Sequence, residues 1–298
     1  MPVSDTELTT LVASHDIITL GMHADEARRA RHDGRATFVR VAEVTAEPGG
    51  AVHVPDAARE IRITGTPSSR AAAVARVREV VAAARGLPVS AFSLADLEVL
   101  AACEKVTLRE LLEELRAVGL ELVSEAPIDL LQDPRLAIEE VNIAGLALAR
   151  LTVHQLPSSD SQELFKQVAA LQRRVGVIRS FAPLPRKPNP AVPTTGYEDV
   201  RRIALARLII DNIPSIQVDW RLYGPKLAQV ALTVGADDVD GVSPVDDMSA
   251  GARRAPLEEI RRNIRAAGFE PAERDGRFHL VESGREQTAD ARNLKSEI

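Results

Sequence analysis

The chain has 298 residues, of which 45% are hydrophobic and 27% charged, a composition typical of a globular protein with a sizeable core. Its formal net charge of −6 argues against a general nucleic-acid binder, which needs a basic face. One cysteine allows no intrachain disulfide, the first ten residues do not resemble a signal peptide, and no apolar run approaches membrane-spanning length, so we predict a cytoplasmic protein.

The sequence predicts helices that alternate with strands along the chain. A capping box at Ser4-x-x-Glu7 predicts the start of a first helix, and a second amphipathic helix covers about residues 16–32. The pattern then predicts a strand over 37–44, a strand over 60–64, a helix over 69–85 and a strand over 89–92. Further along, it predicts helices over 107–119, 136–148, 159–176, 195–213, 225–234 and 256–267, with strands over 120–123, 150–154, 177–181, 216–220 and at 239.

Strands separated by helices need crossover connections, which produce a parallel sheet. The seven or eight predicted units favour an α/β fold of the (β/α) TIM-barrel type, complete or partial, with N-terminal helices. A doubly wound sheet is the alternative. We predict one domain over residues 1–283 and a disordered polar tail over 284–298.

Several segments resemble one enzyme family. The strongest is residues 193–241, which resembles the C-terminal part of the barrel of aminofutalosine synthase, dehypoxanthine futalosine cyclase and the tyrosine-using subunit of FO synthase. Aminofutalosine synthase is the nearest match by these motifs. The motifs that carry the resemblance are DNIP at 211–214, GPK at 224–226, GADD at 235–238, FAPLP at 181–185 and LGMHADE at 20–26.

The resemblance implies a radical-SAM barrel of menaquinone or deazaflavin biosynthesis. Such enzymes hold a [4Fe–4S] cluster with a C-x-x-x-C-x-x-C loop after the first strand, and S-adenosylmethionine (SAM) binds the remaining iron. In this chain residues 40–50, which cover the end of the first predicted strand and the loop after it, contain no cysteine. One glycine, Gly65, and Pro67 stand where the family places a glycine pair near SAM. We therefore expect no cluster, and SAM binding in the family's pose is not expected either.

Three candidate catalytic residues follow predicted strands, at the barrel end where TIM-barrel active sites lie. Asp96 and Asp129 stand where the resemblance implies glutamates, and they are suited to binding a ribose or an amine. His154 matches a family histidine at a strand end and is a candidate proton donor. The simpler interpretation is helix capping for the two aspartates and a structural hydrogen bond for the histidine.

Five further residues are candidate ligand-binding groups. Arg186 and Lys187 form a cationic pair suited to a carboxylate or phosphate, although a solvated loop explains them equally simply. Asp219 and Trp220 end a strand, where an indole ring stacks on a flat ligand or closes the barrel. Lys226 lies near a predicted helix start, where anions bind.

No metal site is predicted, because the six histidines are scattered and lack metal-binding spacing. We interpret Cys103 as a small buried core residue.

Three functions remain open. The first is a pseudoenzyme that binds a small aromatic or nucleoside-like ligand, or a cluster-bearing homologue, in the futalosine pathway. The second is an enzyme that uses non-radical acid–base chemistry on a related substrate. The third is a scaffold subunit of an active homologue. None of the three involves nucleic acid or a membrane.

Overall fold

A computed structural model of the chain describes residues 16–155, 161–187, 195–245 and 256–281, together with Thr10, Leu11 and Ala13. The predicted capping box at Ser4 and the predicted tail after residue 283 lie outside these described residues. Within them, no helix is long and apolar enough to cross a membrane.

Nine strands and nine helices alternate through the described part of the chain. The strands are β1 Arg35–Thr45, β2 Glu60–Thr64, β3 Val89–Ser93, β4 Leu122–Pro127, β5 Ala147–Val153, β6 Ile178–Pro185, β7 Ser215–Asp219, β8 Asp238–Val242 and β9 Glu270–Glu273. The helices are α1 Ile17–His32, α2 Arg70–Ala83, α3 Leu94–Glu104, α4 Leu108–Ala117, α5 Pro134–Ile143, α6 Ser161–Val175, α7 Gly196–Ile209, α8 Trp220–Thr233 and α9 Pro256–Ala266.

The first eight strands close into a parallel barrel. They pair in chain order from β2 to β8, and β1 pairs with both β8 and β2. This closure confirms the predicted (β/α) barrel and excludes the doubly wound alternative, since an open sheet has two unpaired edges.

Helix boundaries follow local capping chemistry. Thr107 and Thr195 each form the predicted capping box, with Glu110 and Glu198 as the reciprocal partners. The predicted helix over 136–148 was too long at its C-terminal end. Gly145 adopts a φ of +73°, which ends the helix and lets β5 begin at Ala147.

The barrel strands are buried on both faces, and the two faces differ in chemistry. Outward residues such as Ile61 and Val239 are apolar and pack under the helices. Inward residues at alternate positions are charged, as Arg62, Arg150 and Asp240 show, and these side chains are also buried. The inside of the barrel is therefore filled by ion pairs as well as by apolar side chains.

The N-terminal end of the barrel is closed by β9 and the turn that follows it, an element that the hydrophobic pattern did not predict. β9 pairs in parallel with residues 35–38 of β1. The next residue, Arg274, is 2% exposed and donates to both carboxylate oxygens of Asp238 at 2.7 Å. Asp238 also accepts from Thr37 and Gln217, so four elements meet at one carboxylate.

We predict that Arg274→Met lowers the free energy of unfolding by about 3–5 kcal/mol, because it leaves Asp238 as a buried charge without its cation. Urea denaturation measures the loss. The double variant with Asp238→Asn should recover part of it. Arg109→Gln is the matched control, since Arg109 forms an exposed ion pair with Glu140 and should change stability little. A loss for Arg274→Met no larger than the control's would contradict the buried-pair assignment.

Helix α1 packs against α7 through a second buried charge cluster. Arg207 is 1% exposed, donates to the Gly235 carbonyl at 2.7 Å and forms an ion pair with Asp237. His32 Nε2 lies 3.5 Å from the same aspartate. Gly235 allows this approach, because a Cβ there would lie 2.8 Å from Cβ of Arg207.

Burial lowers the pKa of His32 below its ordinary value of 6.5; Asp237 opposes this shift, whereas Arg207, Arg28 and Arg31 reinforce it. The folded state therefore binds this proton less readily than the unfolded state. We predict that the contribution of His32 to the free energy of unfolding is fully present above about pH 6.5 and is lost as the pH falls from there through the lowered pKa. The free energy of unfolding of His32→Asn should not show this decrease. Identical pH profiles for the variant and the wild type would contradict the prediction.

Candidate functional site

A polar cavity of about 300 Å³ opens at the C-terminal ends of the barrel strands. We call it the mouth cavity. It is the face on which TIM-barrel enzymes carry their active sites. Charged side chains from several elements line it: Glu43, Arg62, Asp96, Glu125, Arg150, Arg186, Asp219 and Arg221.

The floor of the mouth cavity is a buried ion-pair cluster. Arg62 donates two hydrogen bonds of 2.9 Å to Asp240, and Arg150 forms an ion pair with the same carboxylate. Burial alone would raise the pKa of Asp240, but Arg150 and Arg62 outweigh it and hold that pKa far below its usual range. Arg62 also bonds Glu60, which accepts from Ser90 at 2.6 Å. The floor therefore consists of charged side chains that are buried and held in place by their ion pairs.

The rim of the cavity is held by two further sets of ion pairs. Arg186 donates to Asp219 at 2.6 Å and lies 3.3 Å from Glu125. Arg221 reaches across to Glu43 on β1. Arg221 is well exposed, so this second contact depends little on burial and can open for a ligand at low cost.

Two buried polar atoms beside the cavity lack a hydrogen-bond partner among the described residues. They are Nε of Arg150, whose side chain is 3% exposed, and Oε2 of Glu125, which lies 3.3 Å from Arg186 and 3.9 Å from Arg150 as an ion-pair partner only. A buried donor or acceptor without a hydrogen bond costs free energy. The ion-pair network round the cavity is therefore not fully satisfied by the described residues themselves.

Asp96 adds an acceptor on the same side of the cavity as Glu125. Its carboxylate accepts a 2.8 Å hydrogen bond from the Thr66 hydroxyl. β3 and β4 pair with Ser93 opposite Glu125, which places Asp96, in the first turn of α3, next to that strand end. Carboxylates and guanidinium groups are therefore interspersed round the mouth, since Arg186 contacts both Glu125 and Asp219, and Arg221 contacts Glu43.

Arg221 lies on a short helical turn. Gly224 has a φ of +74° and a ψ of 171°, which interrupts α8 before Pro225. Asp219 accepts from the backbone N–H groups of Arg221 and Leu222 and so caps the isolated first turn. The cap fixes the position of this turn at the rim.

The three candidate catalytic residues are not brought together in the mouth cavity. Only Asp96 lines it. Asp129 instead lines a separate groove of about 450 Å³ between α5 and α6. Its carboxylate accepts the backbone N–H groups of His154 at 2.7 Å and Gln155 at 2.8 Å. Asp129 therefore shapes the loop after β5. The predicted helix cap was wrong for this residue, since Asp133 caps the helix that follows.

The five candidate ligand-binding residues also divide into two groups. Arg186 and Asp219 line the mouth cavity and form an ion pair with each other. Lys187 is exposed, and its backbone N–H donates to the His154 carbonyl. Trp220 is half-buried against the core, and Lys226 is exposed beyond the break at Gly224.

Sequence reasoning missed six residues of the site: Glu43, Arg62, Glu125, Arg150, Arg221 and Asp240. A usable signal existed for most of them. A strand of a parallel barrel is buried on both faces, so a charged residue at alternate positions, as in Glu60-Ile61-Arg62, must point into the barrel. The sequence analysis predicted the strand over 60–64 but not the direction of its charged side chains.

The residues of this chain do not fit a cluster held by three thiolates. Cys103 is the one cysteine of the sequence. It is exposed near the end of α3, an 11-residue helix that begins at the mouth and is about 16 Å long. The interpretation of Cys103 as a buried core residue was wrong, because this position lies on the outer face of α3. No group of three metal-binding side chains occurs among the described residues.

Comparison with known proteins places the chain beside the family that its motifs resemble. Residues 185–287 match the family model described as the CofH/MqnC C-terminal region. The chain is 29% identical over 221 residues to cyclic dehypoxanthine futalosine synthase of Streptomyces coelicolor, covering 65% of this chain and 55% of that protein. It is 27% identical over 228 residues to aminodeoxyfutalosine synthase of Thermus thermophilus, covering 66% and 61%.

These matches confirm the predicted relationship to the radical-SAM enzymes of the futalosine pathway. The matched part spans less than two thirds of either relative's own length. Among solved structures, methylornithine synthase has a TM-score of 0.64 at 13% identity, covering 91% of this chain and 95% of that one. The hydrogenase maturase HydG has a TM-score of 0.63 at 10% identity, covering 91% and 72%. These two structures support the barrel fold alone.

The contrast between Asp129 and Asp96 can be measured directly. We predict that Asp129→Asn lowers the free energy of unfolding by about 0.5–1.5 kcal/mol, because an amide cannot accept both backbone N–H groups. Asp96→Asn should change it by about 0.5 kcal/mol or less, since the amide oxygen still accepts from Thr66. Chemical denaturation of both variants tests this. Equal effects would show that the two aspartates do not differ in role.

Proposed function

We propose that this chain is a cluster-free relative of the futalosine-pathway radical-SAM enzymes, whose barrel mouth binds a small nucleoside-like or carboxylated aromatic ligand. The observation that carries the proposal is the mouth cavity itself. It has the position of a barrel active site, and its lining carries both carboxylates and guanidinium groups, which can accept from and donate to a ligand. The chain's single cysteine lies away from it.

The charged lining of the cavity suggests how such a ligand is held. Hydroxyl or amine groups of the ligand donate to Asp96 and Glu125. A carboxylate or a carbonyl oxygen of the ligand accepts from Arg186 or Arg221, since a guanidinium offers two parallel donors. The relatives' names place futalosine derivatives, which are nucleoside-like compounds, in the same chemical range.

The proposed pocket is adaptable only at its rim. The floor is fixed by Arg62, Arg150 and Asp240, which are paired to one another and out of water. The Arg221–Glu43 contact supplies the part that can open. Ligand selection therefore falls to the rim and walls, whereas the floor holds the barrel in shape.

The arrangement does not favour the acid–base enzyme. That function needs His154, Asp96 and Asp129 around one substrate, and the described structure places Asp96 in a different cavity from Asp129. The carboxylate of Asp129 is also engaged by two backbone N–H groups. The scaffold function predicts a complex with a cluster-bearing homologue and no small-molecule binding.

Isothermal titration calorimetry of the iron-free protein tests the proposal. The compounds are futalosine-type nucleosides, 3-substituted benzoates, tyrosine and SAM. We expect saturable binding of a nucleoside or a benzoate. Asp96→Asn and Glu125→Gln should each weaken it about tenfold, a loss of about 1.4 kcal/mol, because each removes a charged acceptor.

Asp33→Asn is the matched control, since Asp33 is 82% exposed and lies outside the cavity. It should bind as the wild type does. Absence of heat with every compound would refute the ligand-binding proposal and favour the scaffold. Binding that is unchanged in Asp96→Asn and Glu125→Gln would place the ligand elsewhere.

A further inference from the structure

A second polar cavity, of about 410 Å³, lies at the opposite end of the barrel. We call it the base pocket. Glu121, Ala147 and Val177, which adjoin or begin β4, β5 and β6, border it, so it opens at the N-terminal ends of the strands. From its charge and shape we propose that the base pocket binds a small molecule carrying a phosphate group. The proposal does not depend on the function proposed for the mouth.

Three guanidinium groups line the base pocket: those of Arg116, Arg179 and Arg277. Arg116 has one hydrogen bond among the described residues, a 3.3 Å contact with the Leu120 carbonyl. Arg179 is exposed and has no ion pair within the described part of the chain. Two of the three cations are thus free to bind an anion.

The third cation, Arg277, is neutralised by carboxylates of the chain itself. Arg277 donates to both carboxylate oxygens of Glu121 at 2.6 and 2.7 Å, and Asp275 lies 3.8 Å from it. This fork fixes Arg277 against the pocket wall. Counting both carboxylates, the group still carries one positive charge in excess, in a chain whose formal net charge is −6. At the rim, His279 is 75% exposed and adds a further donor.

The chemistry of these groups favours phosphate over a single carboxylate. Guanidinium forks match phosphate oxygens with paired N–H donors, and a dianion gains more from several cations than a monoanion does. The ends of α5 and α6 border the pocket and carry fractional negative charge, which disfavours anions. The full positive charges of Arg116 and Arg179, which have no ion pair among the described residues, outweigh these partial charges.

The shape of the pocket indicates an organic part to the ligand. Its volume exceeds that of a bare phosphate ion, and Leu146 and Val177 supply apolar wall. Gly176 leaves the adjoining surface open, because a Cβ there would meet nothing within 4 Å. The ligand class is therefore a phosphate ester of a small molecule, such as a nucleoside monophosphate.

Thermal unfolding with inorganic phosphate and with adenosine monophosphate tests the inference, against sodium chloride at equal ionic strength. We expect a saturable rise in Tm of about 2 °C or more at saturating ligand, and a larger rise with the monophosphate ester. Arg116→Gln and Arg179→Gln should each raise the ligand concentration for half-maximal shift about tenfold. Both side chains are exposed, so the ligand-free Tm of each variant should stay close to the wild type's.

Two further variants locate the site. Arg78→Gln removes an exposed arginine that does not line the pocket, and it should retain the wild-type response. Arg221→Gln, in the mouth cavity, shows whether phosphate binds there instead. A response no greater than that of sodium chloride, or one that persists in Arg116→Gln and Arg179→Gln, would overturn the inference. So would a response lost only in Arg221→Gln, which would assign phosphate binding to the mouth.

Discussion

The structure depends on one constraint, that charges placed inside the barrel must neutralise one another. Arg62, Arg150 and Asp240 lie out of water, where an unpaired ion is strongly unfavourable. Asp240 accepts from both arginines, and Arg62 extends the cluster to Glu60. Because each charge compensates its neighbours, no member can be lost or displaced alone. The cluster therefore fixes the strand register that surrounds it and forms the floor of the mouth cavity.

The same constraint links the two ends of the barrel. Asp238 lies two residues before Asp240 on β8, so both side chains point inward. Its cation is Arg274, which comes from the segment after β9. The C-terminal segment is thus held by an ion pair inside the barrel, and it brings Arg277 to the base pocket. The interior charges of β8 stabilise the mouth through Asp240 and the base through Asp238. Relatives with the same barrel topology can differ in cavity chemistry, because the helices and outward strand faces are independent of the inward residues.

The sequence was sufficient for the order of elements, because helix caps and apolar periodicity are local. The capping boxes at Thr107 and Thr195 and the strand over 60–64 occur where they were predicted. β9 was missed because it has four half-buried or exposed residues and depends on pairing with β1, more than 230 positions away. In the site, Asp96, Arg186 and Asp219 were predicted from the sequence because each of them ends or follows a predicted strand. The sequence could not show that Asp129 binds backbone N–H groups, since that contact depends on the folded path of the loop.

We propose that the barrel mouth binds its ligand without an iron–sulfur cluster. The measurement to make is anaerobic reconstitution of the full chain with iron and sulfide, followed by iron and sulfide analysis and electron paramagnetic resonance of the reduced protein. We expect background iron and no cluster signal, because one thiol at the far end of α3 cannot replace three at the mouth. A stoichiometric [4Fe–4S] signal that survives gel filtration would contradict it.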